Sequence, residues 1–562
     1  MRVSLGLSVV AMLLGACGGD SDKDADEQLL DAGVDESVAL FDAEHLIEVS
    51  VELDPAEWDA LRHEGRNAPD VMSGCAREYE YTYFHATVTV DGESYEDVAV
   101  RKKGFLGSLS TARPSLKVNF GKFVEGRTHA DMKRMTLNNN LQDASNARQC
   151  MAYGLFAKAG VVAPRCNFAK VSVNGEDLGI YSHIESVKKP MLRRHFEDDD
   201  GNLYEGQGAD FVSNAVDLMQ LKTNEMENDR SDLDAVIAAL SVDDDELLAA
   251  LGEVVDIDSF LSFWAMEVMT GHWDSYTGGR NNYLTYHDPT TDRFFFIPWG
   301  TDGAFNSTRV FSGDNRNPAV LAEGQIANRL YGHPEGRAMY FDRLDELFTE
   351  LWDEDGLLAE ADRIEALTGA APAALRGHRN FITSQSTELR AALDDRDDAA
   401  DWIDRARTGE ELECRPELVT PVSGTFSTVW ADMAMPMPGA EQSVELSLNG
   451  EPWQPAELMS GAGGDSTAPN SAIIPLLSRG DDGLMSGLVL RMPKQYFTVG
   501  EHAMHGTETN AMFIELNPLD PSGVRVLGFV GNGSITLEQG STEVGAPVVG
   551  HFEGEFIQAA GL

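Results

Sequence analysis

The sequence predicts an α+β chain: an antiparallel sheet lobe, then a helical lobe, then a small all-β domain. Three observations carry this. From Leu46 to Ile184, alternating apolar runs are broken by turn residues, the signature of strands and hairpins. From about 230 to 408, apolar residues recur three and four apart, the signature of helices. After Cys414-Arg415-Pro416 the charges thin out, glycines accumulate and short alternating runs return. A chain of 562 residues is also too long for a single core.

The chain opens with Arg2 and an apolar run from Val3 to Leu14, too short to span a bilayer permanently. The run ends in Leu14-Gly15-Ala16-Cys17, small residues before a cysteine, and a polar stretch, Gly18-Gly19-Asp20-Ser21-Asp22, follows. This predicts a lipoprotein signal over 1–17, lipidation of Cys17, and an acidic disordered tether over 18–40. The expected location is the cell envelope, lipid-anchored and facing the periplasm or exterior. With 93 acidic against 43 basic residues, the formal net charge is -50. That excludes a general nucleic-acid binder and would repel an anionic membrane surface, leaving the lipid as the only membrane contact. Solubility alone also accounts for the acidity. Cys75, Cys150, Cys166 and Cys414 form no Cys-x-x-Cys pair, so disulfides are expected rather than zinc; Cys150 with Cys166 closes the shortest loop.

Order is expected from Leu46 to Val51, a strand, followed by a helix start at Asp54-Pro55-Ala56-Glu57. Tyr79 to Val90 turns at Asp91-Gly92 and resumes through Val100, an antiparallel hairpin. Ser115 to Phe120 is a further strand. Asp143 is expected to cap a helix running to Lys158. Strands at 169–173 and 178–184 meet at Asn174-Gly175. Helices follow at 232–240, 244–251 and 259–269, then a helical block from 338 to 408. Residues 41–413 form the two-lobed body, and 417–562 an all-β domain expected to fold independently.

Two constellations could carry chemistry. Between 101 and 127 lie seven basic residues (Arg101, Lys102, Lys103, Arg113, Lys117, Lys122 and Arg127) against one acid, Glu125. Arg101, Lys103 and Lys117, with Gly104 and Gly107 nearby, suit phosphate oxygens; a solvated basic strand edge is the plainer reading. The second runs from Gly271 through Asp274 to Asn281-Asn282, then through a predicted hairpin to Trp299 and Asp302. An antiparallel hairpin returns to its starting end, so Asn281 and Asn282 should lie near Trp299 to Asp302. Two carboxylates and an amide suit a Mg-nucleotide site, one carboxylate and the amide holding the ion and the other orienting a hydroxyl or accepting its proton. An Asp-Asn turn network capping the hairpin is the alternative.

Several blocks together resemble the CotH (spore-coat protein H) kinase family over about 75–350. They are Arg101-Lys102-Lys103-Gly104, Pro114-Ser115-Leu116-Lys117, Asn174 to Glu185, Gly201 to Gly206, Lys222 to Glu225, Asn228 to Leu233, and Trp273 to Phe305. The resemblance implies a two-lobed atypical protein-kinase-like fold that binds ATP and Mg and transfers phosphoryl to a protein hydroxyl. It implies Lys117 on the phosphates, Glu185 near the interlobe hinge, Asp274 as the catalytic aspartate, and Asn281 or Asn282 with Asp302 on the metal. The chain departs from the family's Pro-Trp-Asp-x-Asp pattern: Pro298-Trp299 is followed by Gly300, Thr301 and Asp302. No glutamate of the 143–158 helix stands ready to pair with Lys117. The second reading is therefore a catalytically silent kinase fold that binds a surface partner.

Overall fold

The computed structural model describes residues 35–558, apart from 74–78, 105–107, 214–215, 307–316, 397–414, 435, 439–441, 449, 466–470, 481–482, 505–508 and 518–519. Cys17, Cys75, Cys414, the signal segment and most of the tether lie outside the described residues. No described helix is long and apolar enough to cross a membrane.

Order starts earlier than the sequence predicts. Asp35 accepts from Ser37 N–H and opens a 3-10 turn, Glu36–Phe41, whose Leu40 is buried. Asn167 donates to the carbonyls of Leu40, Asp42 and His45, which fastens this segment to the barrel. The tether prediction therefore fails for residues 35–40: one apolar side chain and one amide suffice to dock them.

Strand β1 (Leu46–Glu52) leads into α1 (Pro55–His63), where Asp54 accepts from Ala56 and Glu57 N–H as the sequence predicts. After α2 (Ala68–Met72) come β2 (Phe84–Val90), β3 (Glu93–Lys103), β4 (Ser115–Asn119) and β5 (Arg134–Asn138). Helix α3 (Arg148–Lys158) precedes β6 (Cys166–Val173) and β7 (Glu176–Ile184). These seven strands close into a barrel in the order β1-β2-β3-β4-β5-β7-β6. The closing pair is parallel, β1 on β6, with Leu46 opposite Phe168 and Val51 opposite Val173. The first lobe is thus a barrel, not an all-antiparallel sheet. Its interior is packed by Val49, Val51, Val98, Val100, Leu116, Val118, Val171 and neighbours.

Beyond α4 (Lys189–His195), β8 (Leu203–Gly206) and β9 (Gln220–Leu221) join a later hairpin in a second sheet. Helices α5 (Ser231–Leu240), α6 (Asp244–Val254), α7 (Ile257–Met269) and the short α8 (Tyr276–Gly279) lead to β10 (Tyr283–Asp288) and β11 (Arg293–Pro298). The order is β11-β10-β8-β9. Helices α9 (Gln325–Gly332), α10 (Pro334–Leu351), α11 (Glu354–Thr368) and α12 (Pro372–Asp394) complete the helical part. One apolar core runs from α3 through α7 to α12 and includes Phe156, Trp264, Phe296 and Phe381.

The C-terminal region is all-β among its described residues apart from short 3-10 turns, with long strands at Val419–Met433 and Pro547–Gln558. It has two apolar layers. Ala68, Val71 and Met72 of α2 pack on the second, and Asn67 Nδ2 donates to Asn532 Oδ1 at 2.5 Å. The body and the β region therefore share a layer.

Candidate functional site

The β10–β11 hairpin brings its two ends together. Tyr283 pairs with Pro298, so Asn282 and Trp299 sit side by side at the open end, where Trp299 N–H donates to the Asn282 carbonyl at 3.1 Å. Asp274 is buried among its own loop. Its Oδ1 accepts from Asn281 Nδ2 at 2.9 Å and its Oδ2 from Asn282 Nδ2 at 2.8 Å. Asn282 Nδ2 also reaches the Asp274 carbonyl at 2.8 Å. Arg280 and Asn282, on either side of Asn281, are left-handed (φ 55 and 49). Asparagine tolerates that region; a buried arginine there is held against its preference.

Asp302 stands in the turn Thr301–Gly303, and its surroundings differ. A Cβ on Gly303 would lie 3.6 Å from Asp274 Cβ, so the turn runs along the Asp274 loop. The charges acting most on Asp302 are Lys103, Asp143 and Arg148. Burial pushes its carboxyl up to about 6, Asp143 adds to this, and Lys103 and Arg148 oppose it. Arg148 also donates to the Asp302 carbonyl at 3.3 Å.

The N-cap of α3 is Ala147, four residues later than predicted; Asp143 still serves the helix end from a distance, its Oδ2 accepting from Arg148 N–H at 2.9 Å while its Oδ1 accepts from Ser145 N–H at 3.0 Å. Polar side chains of 138–149, such as Asn138 bonding Gln149, hold that stretch in a buried network instead.

The basic constellation is not a solvated edge. Arg101, Lys102, Lys103 and Lys117 are buried on β3 and β4, inside the barrel wall, with Arg101 opposite Lys117. Their roles divide. Lys102 donates to the Arg62 carbonyl at 2.6 Å, and Arg101 lies over the rings of Tyr81 and Tyr83. Lys117 sits in a positive field. Burial lowers its pKa well below the ordinary value, Lys188, Arg134 and Lys222 lower it further, and Glu205 opposes them. Glu205 and Lys222 form a buried pair at 3.0 Å.

Glu185 belongs to another constellation. Its carboxylate pairs with Arg165 at 2.9 Å and with Arg194, and its N–H donates to the Arg165 carbonyl. The expected hinge contact is thus occupied by an ion-pair network that also ties in Asp35. Cys150 and Cys166 are joined, S–S 2.09 Å, linking α3 to β6.

Gly300 is left-handed (φ 50), and a Cβ there would come within 2.4 Å of Asn282 Oδ1. The glycine lets the hairpin end close over Asn282. Asp274, Asn281 and Asn282 stand together, and Asp302 lies in the adjoining turn; their oxygens are hard donors, of the type Mg takes and a soft metal does not.

Glu205, Lys222 and Glu267 carry no role in the sequence patterns, and Asp143 carries only that of a helix cap. Glu205 and Lys222 lie in blocks that already carried the family resemblance. Glu267 showed as one carboxylate in an otherwise apolar helix face.

The family model of the CotH kinase protein matches residues 100–393, which contain every residue of both clusters. Inner spore coat protein H of Bacillus subtilis is 26% identical over 262 residues, 43% of this chain and 70% of its own length. Spore coat protein homolog 1 of Rhizopus delemar is 24% identical over 250 residues, 40% of this chain and 41% of its own length. Invasin CotH7 of the same fungus is 23% identical over 250 residues, 42% of this chain and 41% of its own length. The chain thus spans about two-fifths of the fungal relatives it matches, and the β region after 393 lies beyond the family match. With the match covering 100–393 of 562 residues, the chain belongs to the CotH kinase family.

Proposed function

We propose that this chain is an exported, lipid-anchored CotH-type kinase that binds MgATP and transfers phosphoryl to a protein hydroxyl. One observation supports the reading: Lys103, of the basic strand, is near enough to act electrostatically on Asp302, of the acidic turn. Asp302 and the Asn281 or Asn282 amide oxygen would hold Mg, which supplies charge neutralisation for the phosphates when bound. Asp274, braced by both asparagines, orients an acceptor hydroxyl and takes its proton. Lys117 offers charge to the phosphates; an anion there would relieve the positive field around it. Membrane attachment rests on Leu14-Gly15-Ala16-Cys17. Fractionation of a Cys17→Ser variant tests it, and unchanged membrane retention argues against it.

A catalytically silent fold is the second reading, and Gly300 favours it, because a carboxylate usual in the family is missing there. Calorimetric titration of the soluble body with MgATP, followed by labelled-ATP transfer to candidate acceptors, separates the two. No MgATP binding at about millimolar concentration sinks the nucleotide reading. Binding without transfer, with Asp274→Asn indistinguishable from wild type, supports the silent fold.

A further inference from the structure

We propose that Glu267 is the positioning residue of the Asp274 loop, with Asp210 holding the same loop from its other side. The proposal rests on reading Asp274 as the phosphoryl-transfer aspartate. Every residue from Phe260 to Met269 on α7 is buried, and Glu267 is the carboxylate among them. A buried carboxylate survives only when its oxygens are satisfied. Glu267 is satisfied by the loop itself. Its Oε1 accepts from Tyr276 N–H at 3.2 Å, and its Oε2 from Thr277 N–H at 2.9 Å and Thr277 Oγ1 at 2.5 Å. Its main-chain carbonyl accepts from His272 N–H at 2.9 Å. One residue therefore grips the loop at 272 and again at 276–277, with Asp274 midway between.

Asp210 completes the hold. Its Oδ1 accepts from the Tyr276 hydroxyl at 3.2 Å and its Oδ2 from Gln325 N–H at 3.0 Å, while Ile326 N–H donates to the same tyrosine oxygen at 3.1 Å. Tyr276 is thus fixed at its backbone by Glu267 and at its tip by Asp210 and the start of α9. Asp274 touches neither carboxylate in this scheme; it inherits its place from Tyr276 and Thr277.

The hold carries a pH dependence. The ionised carboxylate offers acceptors to three donors, whereas the protonated form turns one oxygen into a donor facing N–H groups. Burial pushes the Glu267 carboxyl up to about 7, opposed by its bonds to Thr277, Ser275 and Tyr276. Tyr283 of β10 shares its field and is held neutral by burial, and Asp210 and Arg280 act on that tyrosine too.

The test uses the full chain as wild type, Glu267→Gln, Thr277→Val and Tyr276→Phe. Hydrogen exchange over 270–285 is read without nucleotide, alongside melting, at about pH 6 and about pH 8. Expected are exchange at 273–282 faster by roughly tenfold in Glu267→Gln and Thr277→Val, with α7 protected as in wild type. Wild-type loop exchange, corrected for intrinsic rate, should quicken below about pH 7, and Glu267→Gln should lose that dependence. Phosphoryl transfer should fall by roughly tenfold or more while MgATP affinity changes by less than about threefold. Unchanged loop exchange in both variants overturns the proposal. So does faster exchange spread over the whole chain in proportion to a lowered melting temperature, which marks a merely structural role. If Glu267→Gln does not fold, Thr277→Val decides, because it leaves the carboxylate in place. If wild type neither binds MgATP nor transfers, the exchange result still decides the positioning of the loop, and only the functional reading fails.

Discussion

Asp274 and Lys117 sit in opposite kinds of surroundings. The aspartate and the carboxylates beneath it meet neutral donors: two asparagine amides for Asp274, backbone N–H groups and a threonine hydroxyl for Glu267. The lysine is buried where cations dominate, with Lys188, Arg134 and Lys222 against Glu205. Neutral donors give these carboxylates hydrogen bonds that hold their loop. Burial and these cations disfavour the ammonium of Lys117, and Glu205 favours it. On the proposed reading, the first region is preorganised for chemistry and the second is poised for an anionic ligand.

That contrast predicts that the two regions fail differently. Asp274→Asn keeps the size of the side chain and removes the proton acceptor, losing one of the two bonds from the asparagine amides. Transfer should drop by roughly 10²–10⁴-fold while MgATP affinity changes little. Labelled-ATP transfer beside calorimetry reads both numbers, and equal losses in each would erase the distinction. Lys117→Ala should do the reverse, weakening MgATP binding by about 1.5–3 kcal/mol through loss of a charge-assisted bond. Its transfer at saturating nucleotide should fall far less than that of Asp274→Asn.

Gly300 sharpens the same comparison from the acidic side. Alanine there meets Asn282 Oδ1 at 2.4 Å and takes a left-handed backbone that L side chains resist. Gly300→Ala should lower stability by about 1–3 kcal/mol and loosen the Asn282 bond to Asp274, measured by denaturant melts and Mg-dependent nucleotide affinity. Gly300→Asp restores the carboxylate usual in the family yet carries the same Cβ. It should therefore not raise Mg affinity. A gain would mean that the hairpin end opens easily and that Gly300 alone silences the site.

Local patterns were legible and distant pairings were not. Alternation between Tyr283 and Ile297 was enough to set Asn282 beside Trp299, because a hairpin's register follows from its turn. Asp54 and the Asn174-Gly175 turn behaved as their residue types require. The barrel was not legible, because its closure depends on Leu46–Val51 finding Phe168–Val173 in parallel, and no turn residue announces a pairing across that span. Strand β5 was missed because Arg134-Met135-Thr136-Leu137-Asn138 is short and leads into a polar run that reads as loop. The burial of Lys117 and the charges of Glu205 and Lys222 around it come from distant parts of the chain, and charge type alone suggested a solvated edge.

The smallest expected effect lies in the pH dependence of stability, where the buried acids and the buried histidines oppose each other. Burial pushes Asp210 and Asp302 up to about 6 and Glu267 up to about 7. Raised carboxyls bind more protons folded than unfolded between roughly pH 4 and 7, so their contribution is present at low pH and is lost as pH rises through that window. Burial lowers His183 and His378 to about 3 and His272 to about 4. A histidine held neutral binds fewer protons folded than unfolded below about 6.5, so its contribution is present above that value and is lost as pH falls. The two slopes have opposite sign between about pH 4 and 6.5, so the wild-type melting temperature should vary by only a few degrees there. Below about pH 4 these three raised carboxyls are protonated in both states, while the histidines and the carboxyls held low, Asp35, Asp177 and Asp200, still lose their contributions as pH falls, so stability should fall steeply. Glu267→Gln removes one falling contribution. Its melting temperature relative to wild type should therefore rise between about pH 5 and 8, whatever fixed loss the missing acceptor causes. A difference that stays flat across that range would mean that Glu267 keeps its charge when folded. The acidic region would then be as static toward protons as its neutral donors make it toward ions.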